Sequence, residues 1–189
     1  EATKFNFGFL LNGGGTVWGD GLTIEVLGKI GEGPKTTGLA PAVLERINDA
    51  RSGNLDFEGG VHDTGSPNGW GGGGEGYKLT LAKDIVHQGK ASGRIERVGE
   101  GGTFGTFTTV TPIYKYRGRR IKYSGFLRSE EADRGGLWMR IDKDEGDEVK
   151  TIAFDNMIGL PVSGTNDWKE YSVVLDIHKH ADRMTVGFP

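Results

Sequence analysis

The chain has 189 residues, 34 of them glycine, no cysteine, and a formal net charge of −3. Without cysteine there are no disulfides, thiolate zinc sites or cysteine nucleophiles, and the redox compartment is left open. The slightly acidic balance offers little to a polyanion, so no nucleic-acid partner is expected. No apolar run approaches the ~18 residues of a membrane helix, so no membrane insertion is expected either.

Phe5, Phe7 and Phe9 alternate as in a strand, Asn12 to Gly15 make a turn, and Thr16–Trp18 and Leu22–Leu27 read as further strands. Residues 28–38 are a Gly/Pro/Lys linker. A short amphipathic helix is expected over residues 40–51, with Pro41 at its first turn, Leu39, Val43, Leu44 and Ile47 as its apolar stripe, and Gly53 as its stop. From Asn54 onward short strands recur at steady spacing: Tyr77–Leu81, Ala91–Arg97, Thr103–Thr111, Arg120–Arg128, Leu137–Asp142, Thr151–Met157, Trp168–Leu175 and Arg183–Phe188. The glycines, at about 2.5 times the usual ~7%, fall between these runs and mark turns. Together they predict an all-β antiparallel sandwich, a jelly roll, with one linker helix.

Residues 2–9 and 181–188 are similar: Ala, Gly and Phe recur at matching places, Lys4 matches Arg183, and the apolar residues alternate in step. Either the chain is a window across two tandem copies of one β-domain, or its C-terminal part is completed by its N-terminal part, as in a permuted or strand-swapped domain. The domain reading is therefore closing strands at 1–27, a linker at 28–53 and a main sandwich at 54–189. A chain that opens in mid-strand reads as an excised or matured fragment.

Several motifs carry a resemblance. They are Asn54-Leu55-Asp56-Phe57-Glu58, Gln88-Gly89-Lys90-Ala91-Ser92, Gly136 to Asp142 followed by Ile152 to Met157, and Gly164 to Tyr171. This run resembles the jelly-roll module beside catalytic domains in bacterial tail-specific peptidases and erythromycin-esterase-like proteins, and more broadly galactose-binding-like carbohydrate-binding modules. In that family a Phe-Gly-Phe-Leu-Leu strand, a Gly turn and Val-Trp-x-Asp close the sheet. Here those elements stand at Phe7 to Leu27, including Val17-Trp18-Gly19-Asp20.

The resemblance implies a structural Ca²⁺ held by Glu58, by backbone carbonyls of Gly89 to Ala91 (Lys90 among them) and by Asp20, with Asp56 as an extra ligand. Calcium takes several hard oxygens and accepts carbonyls, which suits such a set. Val-Trp-Gly-Asp-Gly departs from the family's doubled Asp, and the alternative is that Glu58 caps a loop while Asp20 sits in a turn. A second set, Trp138, Arg140 and Asn156 with Trp70 and Tyr77 flanking the Gly65–Gly76 loop, forms a mixed aromatic and polar platform suited to a saccharide. The alternative for Trp138 is a minor core under that loop. Trp18 and Trp168 are read as core anchors.

Glu130-Glu131 and the Asp142 to Glu145 run have no spacing that defines a glycosidase pair. His178 and His180 are too few for a zinc site, and His62 and His87 have no local partners. No catalytic residue is expected. The function expected is a non-catalytic, carbohydrate-binding-like accessory module beside a catalytic domain, in a bacterial, extracytoplasmic or secreted setting. The alternatives are a strand-exchanging self-association module, forming a strand-swapped homodimer, and a polysaccharide-acting hydrolase or lyase.

Overall fold

The computed structural model describes residues 5–31, 45–46, 54–63, 65–111, 113–145 and 148–179. Among these residues ten strands form one continuous antiparallel system: β1 Phe5–Asn12, β2 Thr16–Lys29, β3 Glu45–Arg46, β4 Gly71–Gly73, β5 Tyr77–Ala82, β6 Ser92–Arg97, β7 Phe104–Thr111, β8 Arg119–Glu145, β9 Glu148–Asp155 and β10 Val162–Ile177. A single 3₁₀ turn, Tyr114–Tyr116, precedes β8, and no α-helix occurs among the described residues. The fold is an all-β, antiparallel sandwich with barrel-like closure.

The organising element is a long two-stranded ribbon. β8 pairs antiparallel with β2 through its first half and with β1 through its second, and the register is the same across the junction: Thr16 lies opposite Glu130 and Asn12 opposite Arg134. Asn12 to Gly15, expected to reverse the chain, instead form a corner through which it continues. Opposite them Glu131 adopts φ +49°. The two corners are tied by Asp133 N–H donating to the Gly14 carbonyl and by Gly14 N–H donating to Asp133 Oδ2 at 2.7 Å. Strands that pass from one layer to another by such a bend make the corners of a sandwich.

On one side of the corner the layer runs β4-β7-β1-β8-β9; on the other it runs β5-β6-β2-β8-β10. The pleat sends Phe5, Phe7, Phe9 and Leu11 inward, and all four are fully buried. Leu137, Met139 and Ile141 of β8 face them, with Ile121, Tyr123 and Leu127 from the other half of the same strand. The aromatic centre is close-packed: Phe9 stacks on Phe107 at 5.0 Å, and Phe57 stacks on Trp70 at 4.9 Å. A register shift between Asp20 and Thr23, at Gly21, changes which alternate residues of β2 face inward, so Val17 before it and Ile24 and Val26 after it are all buried.

The expected helix over 40–51 is not borne out at Glu45–Arg46, which form a short strand against Glu25 and Val26 of β2. The rest of that segment, and the repeat at 181–188, lie outside the described residues. Arg120–Arg128 and Leu137–Asp142, read as two strands, are parts of the single strand β8.

The corner carries a test. A Cβ on Gly15, at φ +90°, would lie 2.4 Å from the Glu131 carbonyl oxygen, whereas one on Gly31, at φ +89°, would meet nothing within 4 Å. Gly31→Ala is expected to show only backbone strain, about 1–3 kcal/mol. Gly15→Ala should cost clearly more, and urea denaturation of both variants checks the difference.

Candidate functional site

The side of the β1 layer that faces away from the core holds the platform residues. Since Phe5, Phe7 and Phe9 point inward, Asn6 and Gly8 lie on the other face, and the same alternation along β8 places Trp138, Arg140 and Asp142 there. The ladder sets Asn6 between Val110 and Arg140, and Gly8 between Thr108 and Trp138. Arg140 donates from Nε to Asp142 Oδ2 at 3.0 Å and brings Nη2 equally close, and Thr151 Oγ1 donates to Asp142 Oδ1 at 2.7 Å. Phe154 pairs with Arg140 across the ladder and is 51% exposed. Asn156 follows the last residue of β9, Asp155, which lies opposite Met139. The fold thus gathers Trp138, Arg140 and Asn156 in one region.

Two features of this face were not legible in the sequence. Asn6 is fully buried, and neither its Nδ2 nor its Oδ1 has a hydrogen-bond partner. Trp138 is 7% exposed, and its Nε1 is likewise unpaired. Such groups are uncommon in folded proteins. A polar residue alternating within a phenylalanine ladder is the only sequence signal, and it gives a face but not burial. An open hollow along β4 and β7 is lined by His62, Trp70, Gly71, Gly72, Thr108 and Val110.

Trp70 and Tyr77 do not belong to the platform. Trp70 is buried in the aromatic core and donates from Nε1 to the Asn54 carbonyl at 2.8 Å. Tyr77 is also buried; its hydroxyl donates to the Gly13 carbonyl at 2.8 Å and accepts from Arg97 Nη1 at 2.9 Å. Both side chains are occupied with holding the loop and the corner in place.

The residues expected to hold calcium instead hold a turn. Asp20 Oδ2 accepts the N–H groups of His87 and Gln88 at 2.9 and 3.0 Å, while Oδ1 accepts Gly21 N–H at 2.7 Å. Glu58 Oε1 accepts the N–H groups of Lys90 and Ala91 at 2.6 and 3.1 Å, and Asp56 Oδ1 accepts Glu58 N–H at 3.2 Å. Two carboxylates therefore grip the 87–91 turn from both ends by its amides. An oxygen surrounded by N–H donors is poorly set up to ligate a cation, so this set does not fit Ca²⁺. No group of three or more His, Asp or Glu that could hold a metal occurs among the described residues. At the middle of the turn Gly89 sits at φ +74°, a conformation that L side chains rarely adopt, and a Cβ there would crowd Glu58 Oε1.

The turn also carries His87, which the sequence leaves without a local partner. Its ring stacks on Phe126 at 3.7 Å and meets the edge of Trp168 at 5.6 Å. Trp18 is buried on this outer side of the β2 layer, opposite Arg94 and Arg128. His180 lies outside the described residues. No helix among them is long and apolar enough to cross a membrane.

No family model matches the chain, and no solved structure matches it. A curated relative is the uncharacterized HTH-type transcriptional regulator YbfP of Bacillus subtilis (strain 168), 32% identical over 114 residues. The match takes in 59% of this chain, which spans only 38% of that regulator's length. This relative overturns the expected carbohydrate-binding accessory module, together with its saccharide ligand, its neighbouring catalytic domain and the polysaccharide-acting alternative. It likewise overturns the exclusion of nucleic acid. Net charge describes only the surface of these residues and is a weak guide to a whole protein's partners.

Burial is the largest influence on the Asp20 carboxyl and raises its pKa above the ordinary value, against the opposing pull of the Gln88, Gly21 and His87 amides. The folded chain then holds this proton more tightly than the unfolded chain. Stability from this group is present at low pH and is lost as pH rises through that window. The melting temperature of wild type minus that of Asp20→Asn should therefore fall from about pH 3 upward and then level off. A rising difference would show that the amides outweigh burial.

Proposed function

We propose that this chain acts in transcription regulation, as the β-structured domain of a regulator whose DNA-reading element lies outside the described residues. The supporting observation is the similarity to YbfP taken with the fold. A match of 114 residues in a chain of 189 necessarily contains its middle, and with it β6 and β7. The shared stretch therefore includes sheet. A helix-turn-helix needs two helices joined by a short turn, with the second lying in the major groove. A β-domain in such a protein governs the DNA-reading part by sensing or positioning.

Chromatin immunoprecipitation of the complete protein tests the reading. A small set of promoter regions is expected to be enriched, with transcription of the adjoining genes altered when Phe9→Ala unsettles the sandwich. That substitution should cost about 3–5 kcal/mol, because it empties a fully buried aromatic site. Uniform recovery of DNA, or transcript levels indifferent to the loss of the domain, would dismiss the proposal.

A further inference from the structure

The stretch from Tyr114 to Tyr123 holds five cations, Lys115, Arg117, Arg119, Arg120 and Lys122, and no acid. Two of them are neutralised on the outer face of the β2 layer. Arg120 grips Asp176 through Nε and Nη2, each at 2.7 Å, and Lys122 stands 3.7 Å from Glu25 and 3.8 Å from Glu170. Arg119 is on the other side of the pleat, in line with Ile121. Ile121 is fully buried while Arg119 is exposed, so Arg119 stands where the core ends. Its ladder partners are Lys29 on β2 and Ile177 on β10. Gly118 locks this row: its carbonyl accepts Ile30 N–H at 3.0 Å, and its N–H donates to the Ile177 carbonyl at 2.8 Å. Lys179 follows two residues after Ile177. Lys29, Arg119 and Lys179 are all exposed, and none of them forms an ion pair among the described residues.

We infer that this end of the sandwich rests on the phosphate backbone of duplex DNA. Such a duplex carries one negative charge per about 1.7 Å of its axis. Neighbouring strands lie about 4.8 Å apart, so three strand ends spread the cations over about 10 Å, a length that presents about six phosphates. Tyr114 is 55% exposed, with Lys115 Nζ 5.9 Å from its ring centroid, and its hydroxyl adds a donor for a phosphate oxygen. The formal charge of −3 is no obstacle, because Asp176, Glu25 and Glu170 on these strands are ion-paired with Arg120 and Lys122. Contacts of this kind position a protein and read no sequence. The basic end therefore anchors the domain beside the element that reads the bases. The choice of duplex DNA over an anionic membrane rests on the regulatory proposal.

The test compares the complete protein with its Lys29→Gln/Arg119→Gln/Lys179→Gln variant. A Lys78→Gln/Lys83→Gln/Lys150→Gln variant, altered at exposed positions elsewhere, is the control of equal charge. Each is titrated with a short fluorescent duplex of arbitrary sequence across a salt series. Wild-type affinity should fall steeply with salt. In the first variant the slope of log K against log salt should flatten by about 0.9 per lost contact, with affinity at low salt reduced at least about tenfold. The control should follow wild type, and all three proteins should melt at the same temperature. No duplex binding at any salt would dismiss the regulatory proposal along with this one. Duplex binding with an unchanged slope in the first variant, or an equal loss in the control, would overturn this inference alone. Vesicles of phosphatidylglycerol and phosphatidylcholine are the second probe. A first variant that loses vesicle binding yet keeps duplex binding would overturn the inference and assign this end to a membrane surface.

Discussion

The structure depends on one constraint: β1–β2 and β8 must keep a single register through the corner at Gly13–Gly15. The pleat repeats every two residues, so a slip of one would send Phe5, Phe7 and Phe9 to the outer face and bring Asn6 and Gly8 inward. The same slip would scatter the outer face, because Asn6 meets Arg140 and Gly8 meets Trp138 only in this alignment. Core and candidate site are thus set by the same hydrogen-bond ladder. At Gly15 a side chain would collide with the Glu131 backbone across this ladder.

Much of the fold was legible because period-two alternation is a local property. The Phe5-Phe7-Phe9 ladder and the Leu137, Met139, Ile141 face were readable from a few residues each, as were the β5, β6 and β7 segments. What could not be read depends on distant partners. Asn12 to Gly15 spell a turn by composition, and only the strand opposite shows that the chain bends there without reversing. Glu131 and its neighbours break the apolar pattern of β8, which made one strand look like two. The 40–51 helix signal was local and sound in pattern, yet at Glu45–Arg46 pairing with β2 prevails over propensity.

The site was harder to read. Trp138 and Arg140 could be placed on one face by alternation, and the structure brings them together. Trp70 and Tyr77 were assigned by their position beside a glycine-rich loop. Such a loop needs anchoring as much as it offers exposure, and their polar atoms are tied to backbone carbonyls. The acidic residues show a related ambiguity. A carboxylate beside a tight turn serves either a cation or the turn's own amides, and sequence does not distinguish the two. For Glu58 and Asp20 the amides are the partners, which agrees with the loop-capping and turn roles set against calcium.

The corner-turning ribbon has a consequence for how the molecule opens. Because β8 contributes backbone to both layers, neither layer can detach while the other stays whole; separating them means breaking the strand's own ladder midway. The two halves of β8 therefore form one cooperative unit, and amides on either side of the bend should exchange with solvent at a common, slow rate. β4 and β9, each paired along one edge only among the described residues, should exchange earlier and fray without disturbing the whole. Among the described residues, opening is thereby expected to begin at these edges, with the β1 face lying between them.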